Sequence, residues 1–152
     1  MVPAIDAPSL RDTAMTDTKT APYAALVLRL ALGILFLAHA GLKIFVFTPA
    51  GTAAFFGSLG LPGWFAYVTI VWEVVGALAL ILGVWPRLFA VILIPVLLGA
   101  IFTVHGAAGF FFTNPKGGWE FPAFWIVGLI ALALTGDGAF ALKPTPIGKA
   151  AR

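Results

Sequence analysis

The stretch YAALVLRLALGILFLAHAGLKIFVF, residues 23–47, is an almost unbroken apolar run that carries one arginine, one histidine and one lysine. An α-helix needs about 20 mostly apolar residues to cross the hydrocarbon layer of a bilayer. The run is longer than this requirement, and it therefore predicts a membrane-spanning helix.

Three more apolar runs of comparable length follow, at residues 63–85, 87–110 and 121–141. The whole chain is 61% hydrophobic and only 10% charged, with a mean hydropathy of +1.05. These values lie far outside the balance that is usual for soluble domains. The sequence predicts an all-α fold: an integral membrane four-helix bundle surrounded by the lipid bilayer.

The bundle is predicted to occupy residues 23–142, between two polar ends. Residues 1–22 lack apolar periodicity and predict a disordered N-terminal tail, within which Met15 is an alternative start to Met1. Residues 143–152 predict a basic C-terminal tail. The chain contains no cysteine, which excludes disulfides, thiolate metal sites and a dithiol redox relay within this sequence.

The basic residues predict the orientation in the membrane. If four spans are threaded, Lys43 and Lys116 fall on one side, and the other seven of the nine lysines and arginines fall on the opposite side. Under the positive-inside rule that opposite side is the cytoplasm, so both termini are predicted to be cytoplasmic. The net charge of +3 is then an orientation signal and not a nucleic-acid-binding surface.

Two features of the predicted connections and spans have alternative interpretations. The connection TPAGTAAFFGSLGLPGW, residues 48–64, is rich in glycine and proline yet carries phenylalanines. It is either a plain capping loop or a short helix lying in the membrane interface. Pro95 interrupts the third predicted span and predicts a kink, which either only shapes the helix or opens a cavity beside it.

Ionisable residues from all four predicted spans gather in the outer half of the bundle. At 1.5 Å per residue, His39 and Glu73 both lie about 12–13 Å below the outer ends of their helices. Each such group is costly if it faces lipid, so these side chains are predicted to face inward and to contact one another. The members of this predicted outward-facing polar pocket are His39, Lys43, Glu73, His105 and, at its rim, Glu120.

Arg29 and Asp137 form a second set, near the cytoplasmic ends of the first and fourth spans. Their matching depth predicts an ion pair. Both Arg29 and Lys43 have the alternative of extending to the nearest lipid headgroups.

The polar residues of the pocket also have structural interpretations. Glu73 lies near mid-span beside Trp72, where it is either a structural group, in a salt bridge or a neutral hydrogen bond, or a ligand or proton site. For the two histidines an interhelical hydrogen bond is the simpler interpretation, because their unequal depths give weak support for metal or haem ligation. The small residues Gly76, Ala79 and Gly83 indicate close helix packing.

An ordered series of short motifs covers residues 28–142. It comprises Arg29-Leu30 with Gly33, then His39-Ala40-Gly41 with Lys43, then Trp72-Glu73-Val74-Val75-Gly76, Leu82-Gly83 before Arg87, Glu120, Gly136-Asp137-Gly138 and Ala141-Leu142. In this series the chain resembles the DoxX family of four-helix bacterial membrane proteins. The family pattern usually has His-Gly where this chain has His39-Ala40-Gly41.

The resemblance implies a location in the bacterial cytoplasmic (inner) membrane and a role beside quinone-linked redox enzymes. A quinone would then be held by the outer pocket, with Lys43 or His39 donating to a carbonyl and Glu73 exchanging a proton. The implied partner is a soluble or membrane redox protein, and a homo-oligomer is compatible with it. Two other functions stay open, namely transport of a small solute or of protons through the buried polar groups, and a non-catalytic membrane scaffold.

Overall fold

The computed structural model describes residues 17–146. Residues 1–16 and 147–152, which hold most of both predicted tails, lie outside the described residues. The regular secondary structure of the described residues is all helical, and one isolated parallel bridge joins Val84 to Lys143. Its α-helices are α1 Ala21–Gly41, α2 Pro49–Ser58, α3 Trp64–Leu82, α4 Pro86–Ala100 and α5 Glu120–Thr135.

Three helical segments are long and apolar enough to cross a membrane. The first runs from Ala21 to Val46, because a π-helical turn continues α1, and the second is α3 itself. The third runs from Pro86 to Ala108, because α4 continues through a π-helical turn, residues 101–105, and a short 3-10 turn. The protein is therefore a multi-pass integral membrane protein, as the hydropathy predicted.

The fourth predicted span is shorter than expected. It forms an apolar helix, α5, but this helix has 16 residues and ends at Thr135 and not at residue 141. The next residues include Gly136 and Gly138, whose φ angles of 124° and 80° are incompatible with a continuing right-handed helix. The Gly-Asp-Gly sequence therefore ends the helix about one and a half turns before the end of the apolar run.

The connection after α1 forms a helix and not a plain loop. Pro49 occupies the first turn of α2, and the Thr48 hydroxyl accepts a hydrogen bond of 3.1 Å from the Gly51 amide, which caps the helix. Thr52 is buried, and its hydroxyl donates to the carbonyl oxygens of Thr48 at 2.9 Å and Lys43 at 3.3 Å. The start of α2 is thereby attached to the end of the first spanning segment.

Small residues allow the spanning helices to approach closely, as the sequence indicated. A Cβ atom at Gly76 of α3 would lie 2.6 Å from the nearest side-chain carbon of Leu93 on α4. A Cβ atom at Gly33 of α1 would lie 2.7 Å from the Ile81 side chain of α3. The main core consists of apolar side chains from all four long helices. Its largest fully buried apolar side chains are those of Phe36, Leu80, Leu93, Leu129 and Leu132.

The C-terminal residues 136–146, called the closing segment below, cover the end of the bundle where α1 begins. The Lys143 amide donates to the Gly83 carbonyl at 3.0 Å, and the Lys143 carbonyl accepts from the Trp85 amide at 2.7 Å. The Lys143 ammonium lies 4.6 Å from the centre of the Trp85 ring, a cation–π contact. The turn between α3 and α4 is thus held by the end of the described chain.

Candidate functional site

Arg29 lies inside the bundle, where backbone carbonyls accept hydrogen bonds from its guanidinium. The residue is 1% exposed. Its guanidinium donates to the carbonyl oxygens of Leu80 and Ile81, both at 3.0 Å, and to the carbonyl of Ala139 at 2.8 Å. The first two belong to the last turn of α3, at the negative end of the helix dipole, where the Leu80 carbonyl also accepts from the Gly83 amide at 3.2 Å. Arg29 therefore binds the C-terminal end of a neighbouring helix.

The predicted ion pair between Arg29 and Asp137 is not formed in the structure. Within residues 17–146 the only ion pair joins Lys43 to Glu73. Asp137 instead accepts a hydrogen bond of 2.6 Å from the Thr145 hydroxyl, inside the closing segment. The equal depths of the two residues in their helices placed both at the same end of the bundle. Depth alone could not show that backbone carbonyls of α3 lie beside the guanidinium.

Arg87 makes a similar contact on the other helix pair. Its Nε donates to the carbonyl oxygen of Ala133, in the last turn of α5, at 2.6 Å. Two arginines thus bind two helix C-terminal ends at the same end of the molecule. This pattern assigns Arg29 to stabilising the fold and removes it from the candidate site.

A cavity of about 1150 Å³ lies toward the opposite end of the bundle. Side chains and backbone of α1, α2, α3, α4, α5 and the 109–119 loop contribute to its wall. The lining includes every residue of the polar pocket that the sequence proposed, which are His39, Lys43, Glu73, His105 and Glu120. The structure therefore brings these five residues to one volume.

Lys43 and Glu73 form the most polar part of the wall. The Lys43 ammonium lies 2.7 Å from one carboxylate oxygen of Glu73 and 2.9 Å from the other. The Glu73 side chain is 5% exposed and the Lys43 side chain 20% exposed. Lys43 belongs to the π-helical turn that ends the first spanning segment, while Glu73 lies in the middle of α3. The contact therefore joins two helices beside an open volume.

The two histidines present the same ring nitrogen for further contacts. His39 Nδ1 lies 2.9 Å from the Leu35 carbonyl, and His105 Nδ1 lies 2.9 Å from the Gly117 carbonyl. A carbonyl oxygen only accepts hydrogen bonds, so Nδ1 is the donor in both contacts. In a neutral imidazole with its proton on Nδ1, the lone pair on Nε2 can accept a hydrogen bond.

Glu120 is already engaged with the loop that precedes α5. One of its carboxylate oxygens accepts a hydrogen bond of 2.8 Å from the Phe112 amide. His105 holds the same loop through Gly117. Glu120 therefore orders the wall of the cavity, in addition to lining it.

Trp125 is a lining residue that the sequence reasoning missed. It is 4% exposed, and its ring lies 4.4 Å from the ring of Phe36 and 5.0 Å from the ring of His39. Its indole Nε1 has no hydrogen-bond acceptor within residues 17–146. The sequence did carry one signal for this role, namely the position of Trp125. Tryptophans of membrane proteins favour the interfaces, whereas Trp125 lies inside its helix.

Trp72 also lines the cavity, and its indole is satisfied. Its Nε1 donates to the Ile92 carbonyl of α4 at 2.9 Å.

Among the described residues no group of three or more histidine, cysteine, aspartate or glutamate side chains is placed to hold a metal ion. The arrangement as a whole is a mostly apolar cavity whose wall carries one ion pair, two imidazole rings and the carboxylate of Glu120. It is suited to a ligand that is mostly apolar and carries hydrogen-bonding oxygens at one end.

Comparison with known proteins agrees with the motif series. The DoxX family matches residues 24–106 of this chain. A protein of Bacillus subtilis (strain 168) named "Putative oxidoreductase CatD" is 40% identical over 119 residues, which is 78% of this chain and 84% of the relative. No solved structure matches the chain. The chain belongs to the DoxX family.

Proposed function

We propose that this protein is a quinone-linked subunit of a membrane redox complex and that the cavity holds the head of the quinone. The observation that carries the proposal is the ion pair of Lys43 and Glu73 in the wall of a mostly apolar cavity. A quinone has the matching chemistry, since its ring carries two carbonyl oxygens and its substituent is a hydrocarbon chain.

The size of the cavity supports a ligand larger than a single ring. Its volume of about 1150 Å³ exceeds the upper end of the range, roughly 300–1,000 Å³, that is common for small-molecule sites. Most of its lining residues are apolar or aromatic. Apolar walls of this extent favour a ring together with the first part of a hydrocarbon tail.

The polar residues have complementary proton roles in this proposal. Lys43 supplies ammonium hydrogens that can donate to a quinone oxygen. A quinol that is oxidised must release two protons, and the available acceptors are the carboxylate of Glu73 and the Nε2 atom of His39. The electrons pass to or from a redox partner, which we place outside this chain because the chain has no cysteine for a dithiol relay.

The family relationship gives independent support for redox chemistry. The Bacillus relative carries the word oxidoreductase in its name. Proton transport through the bundle is supported less well, because Arg29 and Asp137 do not line the cavity. The buried core consists of apolar side chains, among them Leu32, Phe36, Leu80, Leu129 and Leu132. A route between the two polar sets would have to pass through this packed core.

The proposed membrane is the bacterial cytoplasmic membrane, with both termini in the cytoplasm. The start of α1, the turn between α3 and α4, and the closing segment lie together at one end, since the Ala139 amide donates to the Pro22 carbonyl at 2.8 Å. Because the chain lacks cysteine, a cysteine at Lys116 gives a unique label. We expect that cysteine to react with an impermeant maleimide in intact cells, and reaction only after permeabilisation would reverse the orientation.

The quinone proposal is tested by binding to the purified protein in nanodiscs. Trp72 and Trp125 line the cavity, so decylubiquinone should quench intrinsic fluorescence with saturation. Glu73→Gln should weaken this binding at least tenfold, whereas Asp137→Asn, at the other end of the bundle, should leave it unchanged. Circular dichroism of each variant shows that the helices are retained.

Absence of saturable quenching in the wild-type protein would reject the quinone proposal and favour the scaffold alternative. Equal weakening by Glu73→Gln and Asp137→Asn would show that the effect is a general loss of structure. Each outcome therefore decides between a site and a structural element.

A further inference from the structure

The stretch of cavity wall along α3 and α4 contains exposed residues on both helices, and it is called the side opening below. On α3 they include Val68 and Trp72, each 45% exposed. On α4 and the turn that follows it they are Pro95, Gly99 and Thr103.

This opening faces the hydrocarbon of the bilayer. It lies along two helical segments that are both long and apolar enough to cross the membrane, with mean hydropathies of 2.1 and 2.5. The surface around it carries exposed apolar side chains such as Val71 and Phe102, which are 62% and 80% exposed. Such a surface is stable only in contact with lipid.

The seam between the two helices is closed on one side of the opening and wide on the other. Trp72 Nε1 donates to the Ile92 carbonyl at 2.9 Å, and one turn further Gly76 packs against the Leu93 side chain. At Gly99, about two turns beyond Ile92, a Cβ atom would have no heavy atom within 4 Å. The Trp72–Ile92 contact is therefore the floor of the opening, and Gly99 lies on its open side.

Pro95 and the following π-helical turn give α4 its irregular course along the opening. Proline has no amide hydrogen, so the helical hydrogen bond to the Val91 carbonyl is missing. The π-helical turn at residues 101–105 then replaces regular α-helix up to His105. These two irregularities border the opening, with Gly99 between them.

We propose that this opening is a lateral entrance through which the ligand reaches the polar residues from the bilayer, and that the missing side chain at Gly99 keeps it open. The ligand class is an amphiphile with an oxygen-bearing ring and a long hydrocarbon tail. Its head contacts Lys43 and Glu73, and its tail extends between Gly99 and Val68 into the lipid. The identification of the head as a quinone rests on the proposed function, whereas the entrance rests on the geometry of α3 and α4.

The first experiment narrows the entrance and compares ligands with and without a tail. Gly99→Phe adds a ring where the structure has free space, so it should not disturb the fold. Leu98→Phe is the matched control, because Leu98 is the exposed neighbour of Gly99 and does not line the cavity. We expect Gly99→Phe to slow association of decylubiquinone at least tenfold and association of tailless ubiquinone-0 less than twofold. Leu98→Phe should change neither association rate.

Equal effects of Gly99→Phe on the tailed and tailless quinones, or no effect on either, would overturn the entrance. If the wild-type protein bound neither quinone, the proposed function would fail, and a second experiment would decide on the entrance by itself.

The second experiment uses a fatty acid with a diazirine in its hydrocarbon chain, incorporated into the nanodisc and activated by light. Val127 on α5 is 58% exposed and should be labelled by bulk lipid in every variant. Trp125 is 4% exposed and lines the cavity, so a chain reaches it only from inside. We expect Trp125 labelling in the wild type and in Leu98→Phe, with at least a fivefold loss in Gly99→Phe. Labelling of Val127 without Trp125 in the wild type would reject the lateral entrance.

Discussion

The two ends of the bundle bury a cation in different ways. At one end Arg29 donates to three backbone carbonyls, and the closing segment fills the space around it. Toward the other end Lys43 meets a single carboxylate, that of Glu73, beside a cavity of about 1150 Å³. A cation bound by several fixed carbonyls has a structural role, whereas a cation bound by one carboxylate next to free volume remains available to a ligand.

The largest expected effect is at the Arg29 end. Arg29→Met should destabilise the protein by about 3–5 kcal/mol, because it removes the guanidinium donor from the Ile81 carbonyl of α3 and from the Ala139 carbonyl of the closing segment. Asp137→Asn is the control and should cost less than about 1 kcal/mol, because it retains an acceptor for the Thr145 hydroxyl. Unfolding in detergent followed by circular dichroism measures both. A large loss in Asp137→Asn would restore the ion pair that the sequence first indicated.

A smaller effect is expected for the Lys43–Glu73 pair. Lys43→Met or Glu73→Met alone should destabilise by about 2–3 kcal/mol, less than for a fully enclosed pair, because the cavity allows water to reach the remaining charge. The double variant should be more stable than either single variant, since no unpaired charge remains. Denaturation of the four proteins gives the coupling energy. Strict additivity of the two single effects would mean that the ion pair has no net stabilising interaction.

The seam between α3 and α4 permits a comparison of two glycines. Gly76→Ala should destabilise by about 1–3 kcal/mol, because its methyl group would overlap Leu93. Gly99→Ala should be neutral or stabilise by up to about 1 kcal/mol, because alanine is the better helix former and its methyl group meets free space. Thermal unfolding in one detergent compares them. A change of the same sign in thermal stability at both positions would contradict a seam that is closed at Gly76 and open at Gly99.

The smallest effect is expected at Trp125. Trp125→Phe keeps an aromatic ring against Phe36 and His39 but removes the indole N–H. If a ligand oxygen accepts from this N–H, the variant should bind decylubiquinone about five- to tenfold more weakly, which corresponds to the roughly 1 kcal/mol of one neutral hydrogen bond. Trp64→Phe, which changes an exposed tryptophan outside the cavity, is the control. Tighter binding by Trp125→Phe would show that the ring contributes only shape.

The membrane fold could be predicted because a helix that crosses the bilayer requires a long apolar run, whatever the details of its packing. The position of the polar residues was also predictable, since helical rise converts sequence distance to depth and His39, Glu73 and Lys43 must avoid lipid. The partner of Arg29 could not be predicted, because backbone carbonyls at a helix end leave no specific trace in the sequence. The end of α5 at Thr135 was missed for a related reason, since hydropathy does not register the backbone change at Gly136.

The most direct test of the central claim is photolabelling of the purified protein in nanodiscs with an azidoquinone, followed by peptide mapping. We expect adducts on cavity-lining residues of α3 and α5, with Trp72 and Trp125 among them, and competition by excess decylubiquinone. Glu73→Gln should reduce these adducts strongly. Adducts confined to the closing segment, or adducts on exposed residues that decylubiquinone does not compete away, would contradict a quinone site in this cavity.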